Sequence, residues 1–385
     1  MKTLLFNKQE KGPQVFILSL MVFMALVFHP RLSKCQAQEH LWGLEFTFSS
    51  NELGDLYNEE KFFNNTDFKY RKVSERVHSE LVAVVEKNCS GCQLKLVSEG
   101  ASQVVFPDRY WIQIATDPGV IEIQAKPATL KQYQKLKARF DILFESAAQI
   151  GLFPDTFMSG GHIHVGLAAF KNNPLLLRNF LVDFTNHFEL AEGILDLNPK
   201  NASSLRMQQD EFGALDRFKT FIENFDRGTL LSKNHKKIES SEALAKQYYD
   251  IVQQGNLYGK SARYQALNLQ RHNKGQESTI EIRSIRTQAS FDEFLQELTL
   301  FEGRLKYLKK LTDKKIRIPL EDYVNSSKLG TKKFDKLLVE KFYRYVTESE
   351  LRWEEYKPLI YLEELRRKKI ELNAPVKAKS CQIYF

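Results

Sequence analysis

Residues 160–166 read Gly-Gly-His-Ile-His-Val-Gly, and this stretch carries the pattern that decides the fold. Successive side chains of a β-strand point to opposite faces, so Ile163 and Val165 share one face and His162 and His164 share the other. The two glycines allow a tight turn and a close approach of backbone before the strand. A histidine pair at this spacing also occurs in amidohydrolases, in oxygenases and as a structural pair, so it does not define a reaction alone.

Three other short segments repeat this alternation of apolar and polar side chains. Solvated strand faces usually carry Lys, Ser and Thr, whereas these segments mostly offer acids, an amide and an arginine. An ordinary antiparallel sheet with a solvated outer face is the alternative. If the polar positions share one face, their carboxylates repel one another unless a cation neutralises them, so the pattern predicts a divalent metal site. The segments are 43–48 with Glu45 and Thr47, 120–124 with Glu122 and Gln124, and 279–283 with Glu281 and Arg283.

Helical and strand-like segments alternate along the chain, which favours an α/β or α+β fold. No internal repeat interrupts them. Helices are predicted at 69–87, 128–150, 174–196, 290–311 and 333–369, the last with a break at Pro358. Strands are predicted at 41–48, 109–115, 120–124, 162–165, 264–269 and 279–283.

The net charge of +8 first suggests an anionic macromolecular partner, but it is unevenly distributed. Residues 1–37 carry +4 and residues 304–385 carry +9, which leaves −5 for residues 38–303. We therefore expect three parts, namely an N-terminal leader at 1–37, an acidic main domain at 38–303 and a basic helical segment at 304–385. Acidic residues interleave with the cations of the last part, so we expect a solvated helical face there and no nucleic-acid partner.

The leader resembles a secretory signal peptide. Residues 15–28 form an apolar run of 14 residues behind Lys2, Lys8 and Lys11. A membrane-spanning helix needs about 20 residues, so this run is short for a span. We expect export to the periplasm or the extracellular space, and an uncleaved N-terminal membrane anchor is the alternative. Membrane contact is expected through this segment only.

Cys89 and Cys92 form a CxxC motif without a second pair, which excludes a four-cysteine zinc site. In an oxidising compartment a local disulfide is expected. A buried or free thiol pair is the alternative.

Five segments in order along the chain resemble signatures of the putative amidoligase family. These enzymes are carboxylate–amine ligases related to glutamine synthetase and glutamate–cysteine ligase. Residues 117–123 read Asp-Pro-Gly-Val-Ile-Glu-Ile, close to the family's DPGVIEV, and residues 160–166 resemble its glycine-rich HVH-type segment. The opening GxE strand is similar to residues 41–45, and the closing arginine and TxExR elements are similar to 262–268 and 278–283. The resemblance spans about 41–303, the acidic part of the chain.

The resemblance implies an α+β fold in which helices flank a curved antiparallel sheet of the glutamine synthetase type. It implies an ATP-dependent ligase that transfers the γ-phosphate of ATP to a carboxylate. An amine then displaces phosphate from this acyl phosphate and forms an amide or peptide bond. ATP and Mg²⁺ or Mn²⁺ would be the cofactors, and small-molecule or peptide carboxylates and amines would be the substrates.

The same resemblance implies roles for individual residues. Asp117 would serve the turn with Pro118 and Gly119 rather than the metal. Guanidinium groups suit bidentate binding of phosphate, so arginines would hold the migrating phosphate. The metal ligands would be Glu45, Glu122, His162 and Glu281. The residues that contact phosphate or the developing acyl phosphate would be His164, Arg263, Arg283 and Arg286, of which His164, Arg263 and Arg283 would be catalytic.

Thr47 departs from the family pattern, because related ligases commonly carry a second acid at this position of the opening strand. Loss of that carboxylate would weaken a second metal site, and Glu211 and Asp216 are candidate replacements. Two other functions therefore stay open. One is a secreted, non-catalytic module that binds nucleotide and metal, and the other is a metal-dependent hydrolase that uses His162 and His164.

Overall fold

An antiparallel sheet of eight strands organises the part of the chain that the computed structural model describes. That part comprises residues 40–55, 68–117, 119–154, 160–170, 173–191, 194, 204–205, 213–232, 235–253, 265–269, 279–322 and 331–360. The strands are β1 (Trp42–Phe48), β2 (Gln93–Ser98), β3 (Ala101–Val105), β4 (Trp111–Asp117), β5 (Val120–Ala128), β6 (Gly160–Gly166), β7 (Leu267–Asn268) and β8 (Thr279–Arg286). Their order in the sheet is β2-β3-β4-β5-β1-β6-β8-β7, and the sheet is open. The α+β prediction is confirmed.

The four strands that share the alternating pattern lie side by side, in the order β5-β1-β6-β8. Their apolar side chains, such as Leu44, Ile123, Ile163 and Ile282, are buried on one face. The polar residues between them therefore all project from the opposite face. The prediction of one common polar face is confirmed.

An irregularity between Gly161 and Ile163 shifts the pairing of β6 with β8. Beyond it, Gly160 pairs with Arg286 and Gly161 with Ile285. The close packing explains the glycine at 161, because a Cβ there would overlap the side chain of Gln288 and lie 2.8 Å from the carbonyl oxygen of Arg286. This pair of neighbours leaves no room for a larger residue at the start of β6.

The helices are α1 (Phe68–Asn88), α2 (Leu130–Gln149), α3 (Pro174–Asn186), α4 (Ala214–Arg227), α5 (Ser241–Tyr248), α6 (Phe291–Asp313), α7 (Lys332–Glu348) and the short α8 (Trp353–Tyr356). Residues 51–55 add one further helical turn. Polar side chains cap the starts of several helices. Thr129 forms a capping box with Gln132 at α2, and Asn173 accepts a hydrogen bond at the start of α3.

Helices cover the apolar face of the sheet. Helix α1 packs on β3, β4 and β5, and α2 packs between α1 and α6. Aromatic rings fill the space between sheet and helices. Phe46 stacks on Phe144 with 5.3 Å between ring centroids, and Phe140 stacks on Phe291 at 4.1 Å.

Several predicted boundaries need correction. Strand β4 begins at Trp111 rather than Arg109, because Arg109 has a left-handed φ of 66° in the preceding turn. The helix predicted at 174–196 ends at Asn186 and is followed by a 3₁₀ turn at Phe188–Leu190. The helix predicted at 333–369 ends at Glu348, before Pro358, since Glu350 adopts a left-handed φ of 61°.

Strands β2 and β3 and helices α4 and α5 were not predicted from the sequence. Strand β2 lies at the edge of the sheet and is exposed along most of its length, with Leu96 80% exposed. Cys89 and Cys92 form a disulfide between the end of α1 and the start of β2, which confirms the local pairing.

The described residues from His40 onward form one compact unit. The predicted boundary after residue 303 falls inside α6, and buried core residues lie on both sides of it. The predicted leader at 1–37 and the basic run at 366–369 lie outside the described residues. Among the described helices, none has both the length and the apolar composition that a membrane crossing requires.

Candidate functional site

The register of the sheet brings the predicted polar residues together. Glu45 on β1 lies opposite Gln124 on β5 and opposite His162 on β6. His164 on β6 lies opposite Glu281 on β8. Four strands from distant parts of the chain therefore contribute to one cluster, which we call the sheet cluster, and its members are Glu45, Glu122, His162, His164, Glu281 and Arg283.

Glu45 lies between the two histidines. Its Oε1 is 3.1 Å from His162 Nδ1, and its Oε2 is 3.2 Å from His164 Nε2. Only 6% of Glu45 and 5% of His164 are exposed. This burial argues against the solvated outer face of an ordinary sheet, because ionisable groups are buried rarely unless they have partners.

Glu281 is held from two sides and is 2% exposed. Arg283 donates to its Oε1 at 2.6 Å, and Asn268 donates to its Oε2 at 2.7 Å. His162 Nδ1 lies 3.2 Å from the same Oε1. These contacts fix the orientation of the carboxylate without any ligand.

The environment keeps two of the carboxyl groups charged. Burial would raise the pKa of Glu45, but hydrogen bonds and charge from His162 and then His164 hold that pKa well below its usual value. Burial would also raise the pKa of Glu281, yet His162 and Arg283 lower it overall. Both groups are therefore available as anionic ligands at neutral pH.

Glu122 differs from these two groups. Burial and the neighbouring charge of Glu45 raise the pKa of Glu122 to about 9. Gln124 donates a hydrogen bond to Glu122 Oε1. Two close carboxyl groups cannot both ionise cheaply, so Glu122 stays protonated while Glu45 is charged unless a cation arrives.

Three members of the sheet cluster have the geometry of a metal site. Glu45, His164 and Glu281 each offer a ligand atom, and these atoms lie within 4.8 Å of one another. Two carboxylates and an imidazole fit a divalent cation, and this donor set suits Mn²⁺ and Zn²⁺ at least as well as Mg²⁺. The ligand set predicted from the resemblance, with His162 and Glu122 in place of His164, stays a prediction.

Thr47 lies on the polar face opposite Glu122 but is engaged elsewhere. Its Oγ1 is 2.8 Å from Thr287 Oγ1, and its backbone N–H donates to that same hydroxyl at 3.2 Å. Thr47 therefore ties β1 to the residue after β8. Of the candidate replacements for the missing acid, Asp216 lies exposed in the first turn of α4, and Glu211 lies outside the described residues.

The predicted phosphate-binding arginines have different surroundings. Arg283 borders the carboxylates through Glu281. Arg286 is buried and bonded to Glu293 on α6 and to the carbonyl oxygen of Thr287. Arg263 lies outside the described residues. Asp117 ends β4 beside the turn at Gly119, which has a left-handed φ of 82°, in line with the predicted role in the turn.

Sequence reasoning missed Asn268 and Thr287 as supports of the site. Asn268 lies in a segment that was predicted as a strand, shortly before the closing TxExR element. This position could have identified it as a residue that supports the site. Thr287 had no such signal, because its role depends on the approach of β1, 240 residues away in the chain.

Residues 73–188 match the sequence model of the family described as "Putative amidoligase enzyme (DUF2126)". No curated protein matches the chain. The matched segment contains two of the five resembling segments, at 117–123 and 160–166, and it supports an enzyme of the ligase kind. The resemblance to the putative amidoligase family is thus confirmed over residues 73–188.

Proposed function

We propose that the protein is an ATP-dependent carboxylate–amine ligase with a sheet of the glutamine synthetase type. One observation carries the proposal. A buried cluster of carboxylates and histidines with Arg283 forms on a sheet in which strands β2 to β6 lie within the residues that match an amidoligase family. A ligase that uses ATP needs carboxylates that bind the metal ion and cationic side chains that bind the transferring phosphate.

ATP and Mg²⁺ or Mn²⁺ are the proposed cofactors. When bound, the divalent cation would neutralise the charge of the transferring phosphoryl group. Glu45, His164 and Glu281 would hold it. Arg283 already bonds to Glu281, so its guanidinium is positioned next to the place where phosphate would lie.

The proposed reaction has two steps. A carboxylate oxygen of the substrate takes the γ-phosphoryl group and ADP leaves, which gives an acyl phosphate. The nitrogen of an amine then attacks the acyl carbon, inorganic phosphate leaves, and the nitrogen loses a proton. Arg263 and Arg286 are the further cations that the resemblance implies for the migrating phosphate. We also propose export, which the apolar leader and the disulfide between Cys89 and Cys92 support.

Phosphate release from ATP, measured with a panel of amino acids and peptides, tests the proposal. Wild-type protein is expected to release phosphate only when a carboxylate and an amine are both present. Glu281→Gln is expected to slow release by about 100-fold or more, because it removes one of the three groups that would hold the cation, and a loss of this size is common when a group that stabilises charge is removed. Glu145→Gln, at an exposed position of α2, is the matched control and should behave as wild type. Folded protein that binds no nucleotide would contradict the proposal.

A metal-dependent hydrolase is the second candidate. The observation that favours it is the set of three protein ligands, Glu45, His164 and Glu281, since catalytic zinc sites commonly have three ligands and an open position. Tight binding of Zn²⁺ without affinity for ATP, measured by calorimetry on the same protein, would select the hydrolase.

A further inference from the structure

A row of polar side chains crosses the sheet from the sheet cluster to the edge. Glu45 on β1 lies opposite Gln124 on β5, which lies opposite Gln113 on β4. Gln113 lies opposite Gln103 on β3, and Gln103 lies opposite Lys95 on β2. We call Gln103, Gln113 and Gln124 the glutamine row, and Lys95 stands at its outer end.

The glutamine row lies on the same face of the sheet as Glu45. Directly opposite residues in neighbouring strands share a face, and the residues that alternate with the row are buried against the helices. The glutamines themselves are half-buried, and Lys95 is exposed. The buried residues that alternate with the row are Val104, Ile112, Ile114 and Ile123.

The outer part of the row has unused hydrogen-bonding capacity. Gln124 donates to Glu122, so its amide is partly engaged. Within the described part of the chain, the side chains of Gln103 and Gln113 make no hydrogen bond, and Lys95 makes no ion pair. Each free amide offers two N–H donors and one carbonyl acceptor.

We propose that the glutamine row binds the backbone of an extended peptide whose terminal carboxylate reacts beside Glu45, and that Lys95 binds an acidic group near the other end of this peptide. The inference rests on the proposed ligase function and names its substrate class. A peptide repeats a donor and an acceptor at each residue, so amides placed along one line can each bond to a different part of it. A nucleotide has one base and one ribose and does not repeat in this way.

The spacing of the strands sets the length of the ligand. Four strand spacings separate Lys95 from Glu45, which is about 19 Å at roughly 4.8 Å per spacing. An extended chain rises about 3.3 Å per residue, so this distance corresponds to about six residues. We therefore expect affinity to increase with peptide length until the ligand reaches Lys95.

Binding of short peptides to the full chain, measured by calorimetry with MgATP absent and present, tests the proposal. The probes are Glu-Gly-Gly-Gly-Gly-Gly, its counterpart that begins with Lys, and Gly-Gly. Wild type should bind the Glu peptide most tightly. Gln113→Leu should weaken binding of the Glu peptide by about tenfold, since the lost hydrogen bonds are unreplaced, and should leave Gly-Gly unchanged. Gln134→Leu, exposed on α2, is the matched control.

A charge exchange gives a second and independent test. Lys95→Glu should reverse the preference, so that the Lys peptide binds about threefold or more tighter than the Glu peptide, as expected for an exposed ion pair. Lys135→Glu, exposed on α2, should not reverse it. Both variants change exposed residues, and thermal melts would verify that they fold.

Three results would overturn the proposal. One is a wild type that binds the long peptides no more tightly than Gly-Gly. Another is a Gln113→Leu variant that weakens ATP binding and leaves peptide binding unchanged, because the row would then serve the nucleotide. The third is a Lys95→Glu variant without any change of preference. Failure of the proposed ligase function would give a different result. In that case no substrate would cause release of phosphate from ATP, regardless of how tightly the peptides bind.

Discussion

Two clusters of charged side chains can be compared in this molecule, and they differ in what balances their carboxyl groups. The second cluster lies among helices α3, α6 and α7, and we call it the helix cluster. Its buried members are Asp183, His187, Glu189 and Arg304, and Glu348 joins it from an exposed position. Arg304 donates to Asp183 Oδ2 at 2.8 Å and to Glu348 Oε2 at 2.8 Å. His187 links the rest, with its Nδ1 2.7 Å from Glu189 Oε1.

In the helix cluster the internal cation, Arg304, is buried and bridges two carboxylates. Arg304 lies 4.5 Å from the ring centroids of both Tyr307 and Tyr345, and the pKa of its guanidinium is raised because the charge of Asp183 outweighs burial. In the sheet cluster, three carboxyl groups share Arg283 and two histidines. Each cluster thus has one arginine and three carboxyl groups. In the helix cluster the arginine bridges two of the carboxylates and stabilises the fold. In the sheet cluster Glu122 stays protonated beside Glu45, and a bound cation could replace that proton.

The strongest test of this contrast removes the internal cation. Arg304→Leu leaves Asp183 buried without its partner, and we expect a loss of about 3–5 kcal/mol in the free energy of unfolding. Urea denaturation monitored by circular dichroism measures the loss. Lys309→Leu, on the exposed side of α6, is the control and should cost less than about 1 kcal/mol. A loss equal to that of the control would contradict the structural role of the helix cluster.

A divalent cation should stabilise the sheet cluster from outside. Mn²⁺ at 100 times its dissociation constant should raise the free energy of unfolding of the wild type by about 2.7 kcal/mol. Glu281→Gln should remove most of this gain, because a carboxylate ligand is lost. Thermal unfolding with and without Mn²⁺ measures the effect, and Glu145→Gln should retain it. Equal gains in Glu281→Gln and wild type would place the metal elsewhere.

Glu297 is a buried carboxyl group on α6, and no cation among the described residues bonds to it. Gln288 donates to it at 2.7 Å, and burial with the charge of Glu293 raises its pKa well above the usual value. A raised pKa in the folded state means that the folded protein binds more protons than the unfolded chain. Stability is then full below the usual pKa of about 4.3 and falls as the pH rises above it.

Glu297→Gln removes this proton linkage. At pH 8 we expect the variant to be more stable than wild type by about 1 kcal/mol or more, and the difference should shrink toward pH 4. Urea titrations at several pH values measure the difference in the free energy of unfolding at pH 8 and its decrease toward pH 4. A pH dependence that is unchanged by the substitution would show that Glu297 is ionised in the folded protein.

The smallest effect is expected for Thr47. Thr47→Val removes the hydroxyl that meets Thr287, at a cost of about 1 kcal/mol in the free energy of unfolding. Stabilisation by Mn²⁺ should stay the same, because Thr47 is not one of the three residues that would bind the metal, namely Glu45, His164 and Glu281. A loss of Mn²⁺ stabilisation in this variant would make Thr47 part of the metal site.

The polar face could be predicted from the sequence because it follows from local alternation. Each of β1, β5, β6 and β8 shows a buried apolar face within four to seven residues, so the positions of Glu45, His162 and Glu281 on one face required no tertiary information. Helices α1, α2 and α6 had long apolar periods, and their bounds were predicted within a few residues.

The edge of the sheet and the partners of the site could not be predicted in this way. Strand β2 alternates polar and apolar residues only over 93–96, and it is largely exposed, so it lacks the buried apolar face that marks the other strands. The pairing of Arg304 with Asp183 joins residues 121 positions apart on two helices, and single-sequence patterns do not contain such distances. Arg286 was predicted to contact phosphate from its place near Arg283, yet its bond to Glu293 depends on how α6 packs.

The exposed edge strand β2 has a consequence for the solubility of the protein. Leu96 and Val97 are exposed on this edge strand, which therefore offers backbone hydrogen-bonding groups together with apolar side chains. This combination favours edge-to-edge pairing of the sheets of two molecules, which leads to aggregation. Lys95 precedes Leu96 in the same strand, and its charge opposes edge-to-edge pairing. Replacing Lys95 with an apolar residue would therefore promote aggregation at high concentration, whereas Lys95→Glu keeps a charge at the edge and the protein in solution.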